Sequence, residues 1–210
     1  MEIIRGVVLT KSRMYKNNTS GACVVLYDTD KKRIVRIVSD EYGSPIPADF
    51  LNRFDTFDCI QAVAEKSCPI VPQTENICVK SDSIKTTCIY PKTVSQLMIY
   101  LKIKGLWSSP RSYMKNNAYA LKSVEEYDHS IEIVYAEKIV LDKEVVGNKV
   151  KTKASFSIRN TYHERYSVTD PKFETSREPQ YLEKAYLIIS IPSEPYNGKF
   201  YKYVAAIYPT

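Results

Sequence analysis

The chain is interrupted too often for long helices. Its apolar runs are short, rich in Val, Ile, Tyr and Thr, and closed by Gly, Pro, Asn or Asp, the pattern of strands bounded by turns. Ile3 to Thr10, Ala22 to Tyr27 and Ile34 to Ser39 read as three successive strands, the last two joined by a hairpin at Asp28 to Lys32. After a break at Gly43-Ser-Pro-Ile-Pro47 come Phe57 to Glu65, Glu75 to Val79 and Thr87 to Ile89, with Pro69 and Pro72 on the path. A second block holds Ile131 to Leu141, Val150 to Ile158, His163 to Val168, Ala185 to Ile191 and Phe200 to Tyr208, with Asn160-Thr-Tyr162 as a hairpin connection. Between the blocks Leu97, Tyr100, Leu101 and Lys104 recur at helical spacing behind a Thr93 cap, predicting a helix over Val94 to Lys104 that Gly105 stops. The expected architecture is mainly β: two small tandem barrels joined by a short helix, with domains at 1–91 and 131–210 and a helical and loop linker at 92–130. One large sandwich would explain the same strand count.

Either arrangement can bury a real core in 210 residues. Lys and Arg total 30 against 24 Asp and Glu, a formal net charge of +6, which permits an anionic partner without demanding one. The charges are interspersed, with no block of one sign. No apolar run approaches the roughly eighteen residues of a membrane span, so no membrane partner is expected. The start, Met1-Glu-Ile-Ile-Arg-Gly-Val-Val-Leu-Thr-Lys11, mixes charges into its apolar run and reads as a first strand, not a signal peptide. Cys23, Cys59, Cys68, Cys78 and Cys88 are odd in number and form no Cys-x-x-Cys pair, so free thiols in a reducing cytoplasm are the expectation.

The motifs of catalysis are missing. The two histidines, His129 and His163, sit in a polar turn and at the start of a strand, and no Gly-x-Ser-x-Gly elbow accompanies them. Cys59, Cys68, Cys78 and Cys88 are spaced about ten residues apart, which suits small hydrophobes on successive strands and not a zinc site. Phosphate-binding glycine loops are absent as well. The reading is a protein that is not an enzyme and needs neither cofactor nor metal.

Two surfaces carry the chemistry that remains. In Tyr196-Asn-Gly-Lys-Phe-Tyr-Lys-Tyr-Val-Ala-Ala-Ile-Tyr208 an Asn-Gly turn leads into an aromatic strand, and alternation sends Lys202 and Val204 one way, Tyr201, Tyr203 and Ala205 the other. With Arg159, Tyr162, Arg165 and Tyr166, the residues Lys199, Tyr201 and Lys202 would hold phosphates and stack on bases of single-stranded nucleic acid, or form a cross-strand aromatic ladder. The other surface joins Lys11, Ser12 and Arg13 to Arg33 and Arg36 on the first three strands. There Arg36 either meets a ligand or pairs with Glu75, and Gln73, Glu75 and Asn76 either cap that face or satisfy a turn. Trp107, Arg111, Tyr113 and Lys115 offer a third possibility on a loop.

Several segments together resemble the dual OB-containing domain, a family known mainly from bacterial and archaeal genomes and linked to biological conflict systems. They are Thr10-Lys-Ser-Arg13, Gly21-Ala-Cys-Val24, Val35-Arg-Ile-Val-Ser39, Pro72-Gln-Thr-Glu-Asn76, Tyr166-Ser-Val-Thr-Asp-Pro171 and the stretch from Ile189 to Ile207. The resemblance implies two OB-like barrels and a nucleic-acid-binding or sensing module beside a separate effector in antiviral defence. The alternative it leaves open is an adaptor whose exposed Tyr and Arg anchor an effector protein partner.

Overall fold

The computed structural model describes residues 2–16, 19–103, 112–147, 149–174 and 178–210; for residues 13–16, 19, 20, 102, 103, 146, 149 and 174 it describes the backbone only. In the first half, β1 (Glu2–Lys16), β2 (Thr19–Asp28) and β3 (Arg33–Val38) form an antiparallel meander. The short β4 (Ile46–Pro47) adds to β2 and runs into α1 (Ala48–Leu51). β5 (Asp58–Ser67) then pairs with the start of β1, and β6 (Asn76–Val79) fits in parallel against β3 and antiparallel against β5. These pairings close a ring of five strands. Outside it, β7 (Lys85–Ile89) pairs with β5 alone.

β1 serves two neighbours, pairing with β5 over Glu2 to Val7 and with β2 over Gly6 to Lys16. The handover falls at Gly6, where a Cβ would come within 2.7 Å of the Tyr27 carbonyl oxygen, so a residue without a side chain lets the strands close. The interior is filled by alternate side chains of each strand, among them Ile4, Val8, Val24, Leu26, Val35, Ile37, Ile60 and Val79.

The second half repeats the topology. α2 (Val94–Ile103) carries the chain across, and β8 (Ala120–Leu121) precedes the long β9 (Ile131–Val146), β10 (Lys149–Ile158) and β11 (Thr161–Val168). After α3 (Pro171–Glu174) come β12 (Gln180–Ser190), β13 (Phe200–Tyr201) and β14 (Tyr203–Pro209). A closed barrel runs β10-β11-β14-β12-β9, with β11 and β14 its one parallel pair. If the five strands of each barrel are numbered in chain order, both rings read 1-2-3-5-4-1 with strands 3 and 5 parallel. This is a five-stranded Greek-key barrel, the OB-fold, used twice.

A third apolar layer binds the barrels face to face. Outward residues of the first barrel (Val7, Leu9, Val25, Tyr27) meet those of the second (Ile131, Ile133, Ile188, Tyr208). Leu97, Met98 and Leu101 of α2 are fully buried in the same layer. The helix begins as expected: the Gln96 amide donates to Thr93 Oγ1 at 3.3 Å while the Thr93 amide donates to Gln96 Oε1 at 3.0 Å, a reciprocal capping box. It is a packed element of the interface and more than a polar tether. Lys104, Gly105, Trp107 and Arg111 lie outside the described residues.

Candidate functional site

The first expected surface is largely internal. Arg36 is 3% exposed, so its assignment to ligand contact is corrected: the guanidinium lies between the barrels. Its Nη2 donates to Ser130 Oγ at 2.6 Å and to Ser190 Oγ at 3.2 Å, both from the second barrel, and meets Glu75 Oε1 at 3.4 Å. Nη1 donates to the Cys23 sulfur. Pairing with Glu75, the open alternative, is therefore what the fold adopts. The reason is electrostatic, since a buried Arg on β3 must keep a counter-charge; acceptors meet both Nη atoms, while Nε has none. Around it Gln73 Nε2 donates to the Ile191 carbonyl at 3.1 Å and Asn76 Nδ2 to Gln73 Oε1 at 3.3 Å, so these side chains also belong to the interface.

Lys11 is committed as well. Its amine donates to the carbonyls of Leu51, at 3.1 Å, and Phe54, meets Asp55 at 3.0 Å, and lies 5.2 Å from the Phe54 ring centroid. It holds the end of α1 and lines a cleft of about 540 Å³ between the barrels, with Thr10, Asn52, Asp170 and Tyr208. Arg33 is exposed and 3.6 Å from the buried Asp28, at a far end of β3. Arg13 lies on β1 opposite Ala22, its side chain outside those described.

The second surface needs one correction that changes its chemistry. Lys202 does share a side with Val204, as alternation required, but that side is the interior of the second barrel. The residue is 1% exposed, and its amine donates to the carbonyls of Tyr113 at 2.7 Å and Asn116 at 2.6 Å. Burial pushes the amine down to about 8, with Glu132 acting in the opposite sense. Lys202 is thus a buried clasp on the 113–116 segment and makes no phosphate contact. Tyr166 and His163 are also inside, packed on Phe156. Tyr113 is fully buried too, its hydroxyl donating to the carbonyls of Ser130 and Ile189, each at 3.0 Å.

A contiguous outer strip remains and is more aromatic than expected. In the connection between β12 and β14, Asn197 and Gly198 take φ of +49° and +70°, the turn that Asn-Gly favours. It presents Lys199 to solvent and brings Tyr196 to within 6.2 Å of Tyr201, ring centroid to centroid. Tyr119 lies 5.9 Å from Tyr201 on its other side, where β8 pairs with β13. Tyr119 and Tyr196 are exposed, 46% and 68%. Past Lys202 the half-buried Tyr203 stands beside Ser167 of β11, which accepts from Lys153 at 2.8 Å. Arg165 is exposed nearby, bound to Glu144 at 2.5 Å.

Arg159 and Tyr162 are exposed as well, but they mark the opposite end of the β10–β11 hairpin. With five residues from Tyr162 to Ser167, about 15 Å of strand separates them from the tyrosines. The fold therefore brings together Lys199, Tyr201 and, at the margin, Arg165, and adds Tyr119, Tyr196, Tyr203 and Lys153, which the sequence reading left out. Tyr196 and Tyr203 were visible on either side of Tyr201. Nothing near Tyr119 signals its place, because its neighbours are irregular and only the β8–β13 pairing brings it in. In OB barrels the second and third strands and the connection between the fourth and fifth are the usual oligonucleotide surface. The strip occupies that position in the second barrel.

The family model described as "Dual OB-containing domain" matches residues 4–207. The chain belongs to the dual OB-containing domain family. No curated protein and no solved structure matches it. The repeated 1-2-3-5-4-1 ring is the architecture that the family description names, and in this dual OB chain the two barrels are fused by a common apolar layer. Among the described residues no helix is long and apolar enough to cross a membrane, and no three His, Cys, Asp or Glu side chains gather as metal ligands.

Proposed function

We propose that this dual OB domain is a non-catalytic module that binds single-stranded DNA or RNA with little sequence preference along the outer strip of its second barrel. The observation that carries the reading is the cluster of Tyr119, Tyr196 and Tyr201 around the Lys199 turn, on the connection that OB barrels use for oligonucleotides, with Tyr119, Tyr196 and Lys199 exposed and Tyr201 half-buried beside them. Ring faces stack on any base, and the exposed Lys199 offers charge to the backbone beside them, while Arg165 and Lys153 at the margin share Glu144 and would exchange that partner for a phosphate. The first barrel supports the arrangement: its cations Arg36 and Lys11 are spent on the interface and on α1. In this reading the protein works in a prokaryotic cytoplasm, sensing nucleic acid for an effector encoded separately in a conflict system.

Fluorescence anisotropy with a labelled oligonucleotide of mixed sequence, titrated at several salt concentrations, tests it. Tyr201→Ala should weaken binding by about 1–3 kcal/mol with the salt slope unchanged. Lys199→Ala should reduce the slope of log K against log salt by about one. Absence of binding even at low salt, together with capture of a defined effector protein that Tyr201→Ala abolishes, would replace this reading with the adaptor.

A further inference from the structure

Two of the five cysteines face each other across a strand pair. β7 is the edge strand outside the first barrel, and its register on β5 sets Cys88 directly opposite Cys59. The Tyr90 amide donates to the Phe57 carbonyl at 3.0 Å two residues along, so by alternation Cys59 and Cys88 form a hydrogen-bonded pair. Such pairs hold their Cα atoms about 5.5 Å apart, inside the range a disulfide spans. Cys88 is exposed and Cys59 half-buried, whereas Cys23, Cys68 and Cys78 are buried. The Cys59 thiol hydrogen-bonds Cys88 and is pushed up to about 12, first by burial and then by that bond.

We propose that Cys59 and Cys88 are a peroxide-reactive dithiol that closes reversibly to a disulfide. The exposed Cys88 attacks one oxygen of hydrogen peroxide as its thiolate, the O–O bond breaks, and a sulfenic acid and hydroxide form. The Cys59 sulfur then displaces the sulfenic hydroxyl, and the Cys59 proton leaves with it as water. Two thiols lose two electrons in all and one peroxide becomes two waters. The bond would fasten the edge strand, and with it the chain entering α2, to the barrel. Cross-links at an edge, where sulfur is accessible, are the readily reduced kind.

Trypsin separates the cysteines in a useful way: Cys59 falls in residues 54–66, Cys88 in 86–92, Cys23 in 17–31, and Cys68 with Cys78 in 67–80. The full-length protein is treated with hydrogen peroxide, its remaining thiols are alkylated, and the digest is weighed without and with a reductant. The expected product is 54–66 joined to 86–92, lighter than the two peptides together by two hydrogens and released by the reductant. In Cys59→Ser, Cys88 should instead progress to sulfinic and sulfonic acid. A wild-type digest in which Cys88 over-oxidises without the cross-link would overturn the proposal. A disulfide confined to 67–80, or thiols all unchanged after peroxide has oxidised an added dithiol peptide, would do the same.

Discussion

His163 makes the stability of the second barrel sensitive to mild acid. Its ring is 1% exposed and stacks on Phe156 with centroids 5.3 Å apart, and Nδ1 lies 3.2 Å from the Tyr166 hydroxyl. Burial first, and the nearby Lys202 charge second, lower its pKa to about 4, against about 6.5 for an unperturbed histidine. Between those values the unfolded chain binds a proton that the folded barrel refuses. Stability is therefore complete above pH 6.5, falls as pH drops below it, and levels off under pH 4. Integrated from pH 7 to pH 5, the loss is about 2 kcal/mol. His129 does not mask it. Its pKa is raised, with burial outweighed by hydrogen bonds to Glu132 and Asp128, so its contribution grows as pH falls toward 6.5 and is full below it, a change of opposite sign that wild type and a His163 variant share. Urea unfolding followed by far-ultraviolet circular dichroism, at pH 7 and pH 5, reads the effect in wild type and His163→Gln. Carboxylates titrate alike in both, so wild type should lose about 2 kcal/mol more than the variant. Equal losses would refute the reasoning.

Two further substitutions test the buried charges. Arg36→Met should cost about 3–5 kcal/mol in urea unfolding, because Glu75 is left at the interface without its partner, and adding Glu75→Gln should recover part of the loss; a neutral Arg36→Met would mean that the pair holds nothing together. Lys202→Ala should destabilise by about 2–4 kcal/mol, since the Tyr113 and Asn116 carbonyls lose their donor. The salt slope of oligonucleotide binding by folded Lys202→Ala should match wild type, and a reduced slope would return Lys202 to the surface.

The strands were legible because each carries its own signal. Alternation and turn residues are local, and the two strand groups, six segments and then five, the hairpins and the Thr93 cap follow from them. What local patterns omit is which neighbour each strand takes. β1 was expected to stop at Thr10 and continues to Lys16, because β2 pairs with it throughout. Phe200 to Tyr208 was expected as one strand, yet it divides at Lys202, whose amide donates to the Tyr119 carbonyl at 2.9 Å. One side of that division pairs with β8 and the other joins the barrel. Nor does periodicity show that the outer faces of two barrels will be dry, and this layer absorbed Arg36.

The same limit governs the site. Period-two reasoning sorts residues into two faces without saying which is wet, and in the last strand the cue was misleading: a lysine marked the inside and tyrosines the outside. Energetics explain why this inversion is stable. A buried amine is tolerated when carbonyls surround it, and the irregular 113–116 segment supplies two of them. A tyrosine tolerates solvent readily, since its hydroxyl is polar while its ring still packs on a neighbour. Lys202 thus fixes the floor of the strip from beneath, and Tyr201 and Tyr203, one residue to either side, are turned outward by the alternation that drives Lys202 in. The buried lysine and the aromatic surface are two consequences of one register, so a one-residue shift at Lys202 would expose the cation and bury the rings together.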